Sequence, residues 1–260
     1  ADNVQVVVSI PPQVYFVEQL GGDLVNAISM LPEGGFPHTY EPTPNQMRLL
    51  SKADMYVQIK VEFENAWWDK MLTANPDMHV VDSTVGIGFS EDHDHEDEHP
   101  ENTSHEHEGE HHKEKETMHV HHGHDPHIWL SPKLVKLQAE SICEGLIQVD
   151  PNNKETYISN KNSFLKALDE LDRDIQERLT NMKTRKFMVF HPSWTYFARD
   201  YNLEQIPIEI EGKEPSVAEM AALMETAKAQ NIRVIFVQPQ TSRRSAETIA
   251  RQIGATVEVL

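Results

Sequence analysis

Between Glu155 and Met182 the apolar residues Phe164, Leu165, Leu168, Leu171, Ile175 and Leu179 recur at three- and four-residue spacing with charges between them. That is the period of one face of an α-helix, so the stretch predicts a single long amphipathic helix. At about 1.5 Å of rise per residue it runs on the order of 40 Å, long enough to pass along two lobes. The alternative is an ordinary long helix inside one domain.

The flanks favour two lobes. Before the helix, Val4 to Ile10, Val25 to Leu31, Met55 to Ile59 and His79 to Val81 read as short apolar strands. Helical patterns lie between them at Val14 to Leu20, Pro44 to Lys52 and Phe63 to Leu72, and a further helix is expected over Pro132 to Gln148. Unbroken apolar strands alternating with helices predict a parallel sheet covered on both faces. After the long helix the alternation restarts, with strands at Phe187 to Phe190, Gln205 to Ile210 and Val234 to Val237 and helices near Trp194 to Tyr201 and Val217 to Gln230. The helix Ser245 to Ile253 leads into a last strand, Thr256 to Leu260, which suggests a longer natural chain. The expected fold class is therefore α/β: two similar lobes with parallel sheets joined by a long rigid linking helix. Its divisions are an N-terminal lobe over 1–150, the linking helix over 151–183 and a C-terminal lobe over 184–260.

Charge is concentrated in one place. The 260 residues carry a formal charge of −19, and 34 of them, from Glu91 to His124, hold −10 of it along with 11 of the 15 histidines. Almost nothing in that segment is apolar, so it cannot offset the entropy of ordering and is expected to be a disordered acidic loop. Imidazole is a common ligand for zinc, copper and nickel, so such a loop is also expected to contact metal. Two H-E-x-x-H matches inside it, at His95 and His107, are composition at work, because that pattern has meaning only on a packed helix. The acidic balance argues against nucleic acid as a partner. A single cysteine, Cys143, excludes an intrachain disulfide and any multi-cysteine metal site. No run approaches the roughly 18 apolar residues of a membrane span. The start, Ala1-Asp2-Asn3, has the look of a chain whose secretory signal has been removed or never existed.

Four histidines lie outside the loop. His79 precedes two valines and reads as structural, but the other three sit where strands give way to turns, each with a proline nearby: Pro37-His38, Asp125-Pro126-His127 and His191-Pro192. Ligands of open α/β sheets bind at the carboxyl ends of the strands, where such turns converge. Proline stiffens the backbone that carries each imidazole. Together they point to a metal site built from three histidines.

Five stretches around these residues form a series: Pro37-His38-Thr39-Tyr40-Glu41-Pro42-Thr43-Pro44, Asp125-Pro126-His127-Ile128-Trp129-Leu130-Ser131-Pro132, Phe190-His191-Pro192-Ser193-Trp194, Gly212-Lys213-Glu214-Pro215-Ser216 and Phe236-Val237-Gln238-Pro239-Gln240. In this order they resemble the landmarks of the cluster A-I solute-binding proteins of ABC importers, specifically the high-affinity zinc-uptake type, over essentially the whole chain. The resemblance implies metal bound in the cleft between the lobes by His38, His127 and His191. It also implies zinc as the transported ligand, an ABC permease in the membrane as partner, and a periplasmic location, free rather than lipid-anchored since residue 1 is alanine. Nitrogen at the third position fits zinc better than manganese, although copper and nickel also accept three imidazoles. The fourth ligand is open: His124 leads, water follows, and a carboxylate beyond Leu260 is third, with Glu211 a weaker candidate better suited to a supporting role or to contact with the transporter. Residue 37 is proline, so a glutamate that precedes the first histidine in some zinc members has no counterpart here.

The reading is a monomeric protein, not an enzyme, that captures Zn(II) and delivers it to a permease. The alternatives are a surface adhesin, a metal buffer acting through the loop, or a zinc hydrolase, for which these motifs supply no convincing general base.

Overall fold

The computed structural model describes residues 3–37, 39–89, 124–210, 213–239, 241 and 243–260. The expected acidic loop over 91–124 lies outside the described residues apart from His124, as do His38 and Glu211.

The first lobe contains a four-stranded parallel sheet of β1 (Val4–Val8), β2 (Val25–Ser29), β3 (Met55–Gln58) and β4 (His79–Asp82), in the order β2-β1-β3-β4. Val6 pairs with Ala27 on one side and Met55 on the other, which fixes the central register. Along β1, Val4, Val6 and Val8 join a core with Phe16, Leu20, Ile142, Leu146 and Tyr157, whereas Val7 joins another with Leu50, Tyr56, Phe63 and Met71. Alternate residues of a strand face opposite sides, so an unbroken valine run is what a doubly covered sheet requires. Each fully buried valine contributes roughly 1.5–3 kcal/mol relative to exposure.

Helices α1 (Pro11–Gly21), α4 (Pro132–Val149) and α5 (Lys154–Thr180) cover the first of these faces, and α2 (Pro44–Leu50) and α3 (Glu62–Ala74) the second. Helix α1 starts three residues before the apolar pattern that signals it, because Pro11 and Pro12 occupy its first positions, where a missing N–H costs nothing. Thr43 and Ser131 accept from the backbone N–H groups of Gln46 and Leu134 and so cap α2 and α4.

Gly145 lets α4 press against the sheet. A Cβ there would lie 2.3 Å from Cγ2 of Val81 and 2.9 Å from Sδ of Met55. Gly145→Ala is therefore expected to destabilise the protein by about 1–3 kcal/mol through overpacking, outweighing the gain of about 1 kcal/mol in helix propensity. Urea denaturation measures this, and a midpoint equal to or above wild type would mean that the interface has room.

The long helix α5 has 27 residues, within two of its expected limits at each end. Its first half is bound to the first lobe through Tyr157, Phe164 and Leu168, all buried, and beyond them Leu171 is 46% exposed. The second sheet, of β5 (Lys186–Val189), β6 (Glu204–Pro207), β7 (Val234–Val237) and β8 (Thr256–Val259), has the order β6-β5-β7-β8. It repeats the first sheet's strand order, again wholly parallel. Helix α6 (Thr195–Asp200) follows β5, while α7 (Val217–Ala229) and α8 (Arg244–Ile253) share a core with Met188, Ile208 and Ile235. Gly254, at φ 70°, ends α8 in the left-handed region that favours glycine.

Candidate metal centre

Segments at the carboxyl ends of β1, β2, β5 and β7 converge on one cleft of about 420 Å³. Ile10, Leu31, Phe36, Pro37, His127 and Trp129 line it from the first lobe, and His191, Trp194 and Gln238 from the second half of the chain. Its walls are mostly apolar, which limits water around any charge held there.

His127 is placed by its own local sequence. Oδ1 of Asp125 accepts from the backbone N–H of His127 at 3.0 Å, closing an Asx turn, and from Nδ1–H of the same residue at 2.7 Å. Pro126 between them fixes the turn, and a single 3-10 turn, Ile128–Leu130, leads on to the Ser131 cap of α4. Burial pushes the Asp125 carboxyl up, but its bonds to His127 outweigh that effect and hold it below its ordinary range. In the neutral ring, a charged carboxylate on Nδ1–H assigns the lone pair to Nε2, which faces the cleft.

His191 is held by the fold. It follows β5, where the Phe190 N–H donates to the Phe236 carbonyl at 2.9 Å, and its Nδ1 lies 3.3 Å from both carboxylate oxygens of Glu209. The side chains of His191 and Glu209 are 9% and 8% exposed. As at His127, a carboxylate takes Nδ1 and leaves Nε2 for another partner.

The two Nε2 atoms face each other across the cleft at 3.3 Å, with the rings inclined at 69°. Two bare lone pairs at that distance repel unless a proton or a cation lies between them. A tetrahedral zinc ion with Zn–N bonds of about 2.0–2.1 Å sets its ligand nitrogens about 3.3–3.4 Å apart. The pair therefore has the edge length of a zinc tetrahedron.

Of the four histidines singled out in the sequence, the structure brings together His127 and His191. His38 lies outside the described residues, although Phe36 and Pro37 beside it line the cleft and the Phe36 ring meets that of His191 edge-on at 5.6 Å. His124 is exposed, stacks on Phe89 at 5.0 Å and is not among the residues lining the cleft. Among the described residues no group of three His, Cys, Asp or Glu side chains is arranged to hold a metal. Asp125 carries a sequence signal, since an aspartate two residues before a histidine suits an Asx turn. Glu209 carries none, because it is 18 residues from His191 and meets it through the β5–β6 pairing.

Two parallel α/β lobes, a long helix joining them and a pair of imidazoles opposed across the cleft define a solute-binding protein of the helix-linked, metal-binding class. Residues 6–260 match the model of the ZnuA family, described as zinc-uptake complex component A, periplasmic, and the chain belongs to that family. It is 31% identical over 267 residues to the high-affinity zinc uptake system protein ZnuA of Bacillus subtilis (strain 168), covering 100% of this chain and 78% of the relative. It is 30% identical to the zinc-binding lipoprotein AdcA of Streptococcus pneumoniae (strain R6), with 99% of this chain spanning 50% of that protein. A crystal structure of ZnuA superposes with a TM-score of 0.86 at 44% identity, covering 100% of this chain and 91% of the other. A ZnuA internal-deletion mutant with zinc bound gives 0.83 at 44% identity, covering 100% and 90%.

The chain is thus the zinc-capturing, extracytoplasmic component of an ABC importer, a transport protein rather than an enzyme, and the permease is its partner. No described helix is long and apolar enough to cross a membrane.

Proposed function

We propose that His38, His127 and His191 hold Zn(II) in the inter-lobe cleft, and that the protein gives up the ion when the permease shifts one lobe against the other. The opposed Nε2 atoms at 3.3 Å carry this reading. The zinc-bound ZnuA relative supports it. Ligands mounted on two bodies suit a protein that must both bind and release, because a small relative displacement lengthens metal–nitrogen bonds without unfolding either lobe. The division into a lobe over 1–150, a linking helix over 151–183 and a lobe over 184–260 belongs to the same reading. The burial of Tyr157, Phe164 and Leu168 against the first sheet supports it by making α5 a fixed extension of that lobe.

The fourth coordination position completes the site. The position of His124, exposed and outside the residues that line the cleft, favours water as the fourth donor. The acidic histidine-rich stretch over 91–124 serves as a set of weak, exchangeable sites that raise the local zinc concentration. The protein acts as a monomer and does not bind nucleic acid, in keeping with its charge of −19.

Coordination requires neutral imidazole, and imidazole ordinarily protonates near about pH 6.5. Zinc affinity is therefore expected to fall more than about tenfold between about pH 7.5 and about pH 5. Competition with a chelator of known pH dependence measures it, and equal affinity at both pH values would rule out a site built on histidine.

A further inference from the structure

Helix α6 begins four residues after His191, yet it is fastened to the first lobe. Tyr196 is fully buried in the core that holds Val7, Tyr56, Ile128 and Leu134. At the far end of the helix the Ser131 hydroxyl donates to the Asp200 carboxylate, and Nζ of Lys133 donates to the Asp200 carbonyl at 3.3 Å. The Tyr201 hydroxyl donates to Oδ1 of Asp172 on α5 at 2.8 Å. The segment that carries the chain away from one cleft histidine thus forms part of the surface that carries the other.

The Tyr196 hydroxyl donates to the backbone carbonyl of Asp125 at 2.7 Å. Asp125 is the residue whose carboxylate aims His127, so it is gripped at both ends: the carbonyl by Tyr196 and the carboxylate by the imidazole. A continuous path runs from His191 along the chain to Tyr196, through its hydroxyl to Asp125 and on to Nδ1 of His127. That path is far shorter than the one through the 27 residues of α5.

We propose that Tyr196 is a positioning residue for zinc capture, its hydroxyl setting the His127 ring in register with His191 across the lobe boundary. This rests on the reading that His127 and His191 are both ligands. Supporting partners of metal ligands act by orienting them, and their loss weakens metal binding without removing a donor atom.

The test compares the wild type, Tyr196→Phe and Tyr201→Phe as full chains, by zinc competition titration, by the ligand-field absorption of the Co(II) form and by melting of the metal-free protein. Tyr201→Phe deletes a hydrogen bond of the same kind at the other end of the same helix and serves as the structural control. Tyr196→Phe is expected to weaken zinc about tenfold and to shift the Co(II) bands, whereas Tyr201→Phe stays within about twofold of wild type with an unchanged spectrum, even where its melting point falls as far. Wild-type affinity and spectrum in Tyr196→Phe would overturn the proposal, as would a Tyr201→Phe protein that reproduces both changes. A wild type with no tight zinc would instead overturn the ligand assignment beneath it, so the two failures are distinguishable.

Discussion

His127→Ala is expected to lower zinc affinity by more than about 100-fold, beyond the 10–100-fold typical of losing a supporting partner of a ligand. The substitution removes one of the three imidazoles proposed as ligands and leaves the buried carboxylate of Asp125, 3% exposed, without the ring that holds its charge. Asp125→Asn keeps the imidazole but replaces its charged partner, so its loss belongs in the smaller, supporting range. Chelator competition ranks the two, with melting of the metal-free proteins to confirm that each folds. Equal losses for both variants would mean that His127 acts through Asp125 rather than as a donor.

The second large effect lies inside the first lobe and does not involve metal. Glu64 on α3 is fully buried, and its carboxylate meets the hydroxyls of Ser9 and Tyr56 and the backbone N–H groups of Ile59 and Val61. Burial pushes it from 4.5 up to about 7 in spite of these donors. A carboxyl with a raised folded-state pKa binds its proton more tightly folded than unfolded. Its contribution is therefore fully present below about pH 4.5 and is lost as pH rises towards about pH 7. Over that window the loss is about 3 kcal/mol, at about 1.36 kcal/mol per pKa unit. Glu64→Gln keeps the shape and an acceptor for the two backbone donors but does not titrate. Urea denaturation in chelator, from about pH 4.5 to about pH 7.5, is expected to show the wild type losing about 3 kcal/mol relative to the variant. A constant difference between the two would show that Glu64 titrates in the folded protein as it does in the unfolded chain, with no raised pKa.

Much of the first lobe is legible in the sequence for one physical reason: its sheet is covered on two faces, so its strands are continuous apolar runs such as Val4 to Val8. The period of α5 is equally plain, because its partly exposed face keeps charges between the apolar positions. Histidines placed beside prolines in turns identify a site, and two of them do oppose each other, although only His191 follows a strand as expected, His127 leading instead into the 3-10 turn before α4. What the sequence hides is whatever depends on two distant segments meeting. Glu209 reads as an ordinary charge after a strand, and Glu64 as one acid among several on α3. Tyr196 lies in the second half of the chain but packs in the core of the first lobe, which no local pattern signals.

The most direct test is zinc-titration calorimetry with a competing chelator on the intact protein, on a deletion of residues 91–122 and on His191→Ala, with metal counted after dialysis. The account predicts one tight zinc that survives the deletion and is lost in His191→Ala. Tight binding that disappears with the deleted stretch, or that persists in His191→Ala, would contradict it.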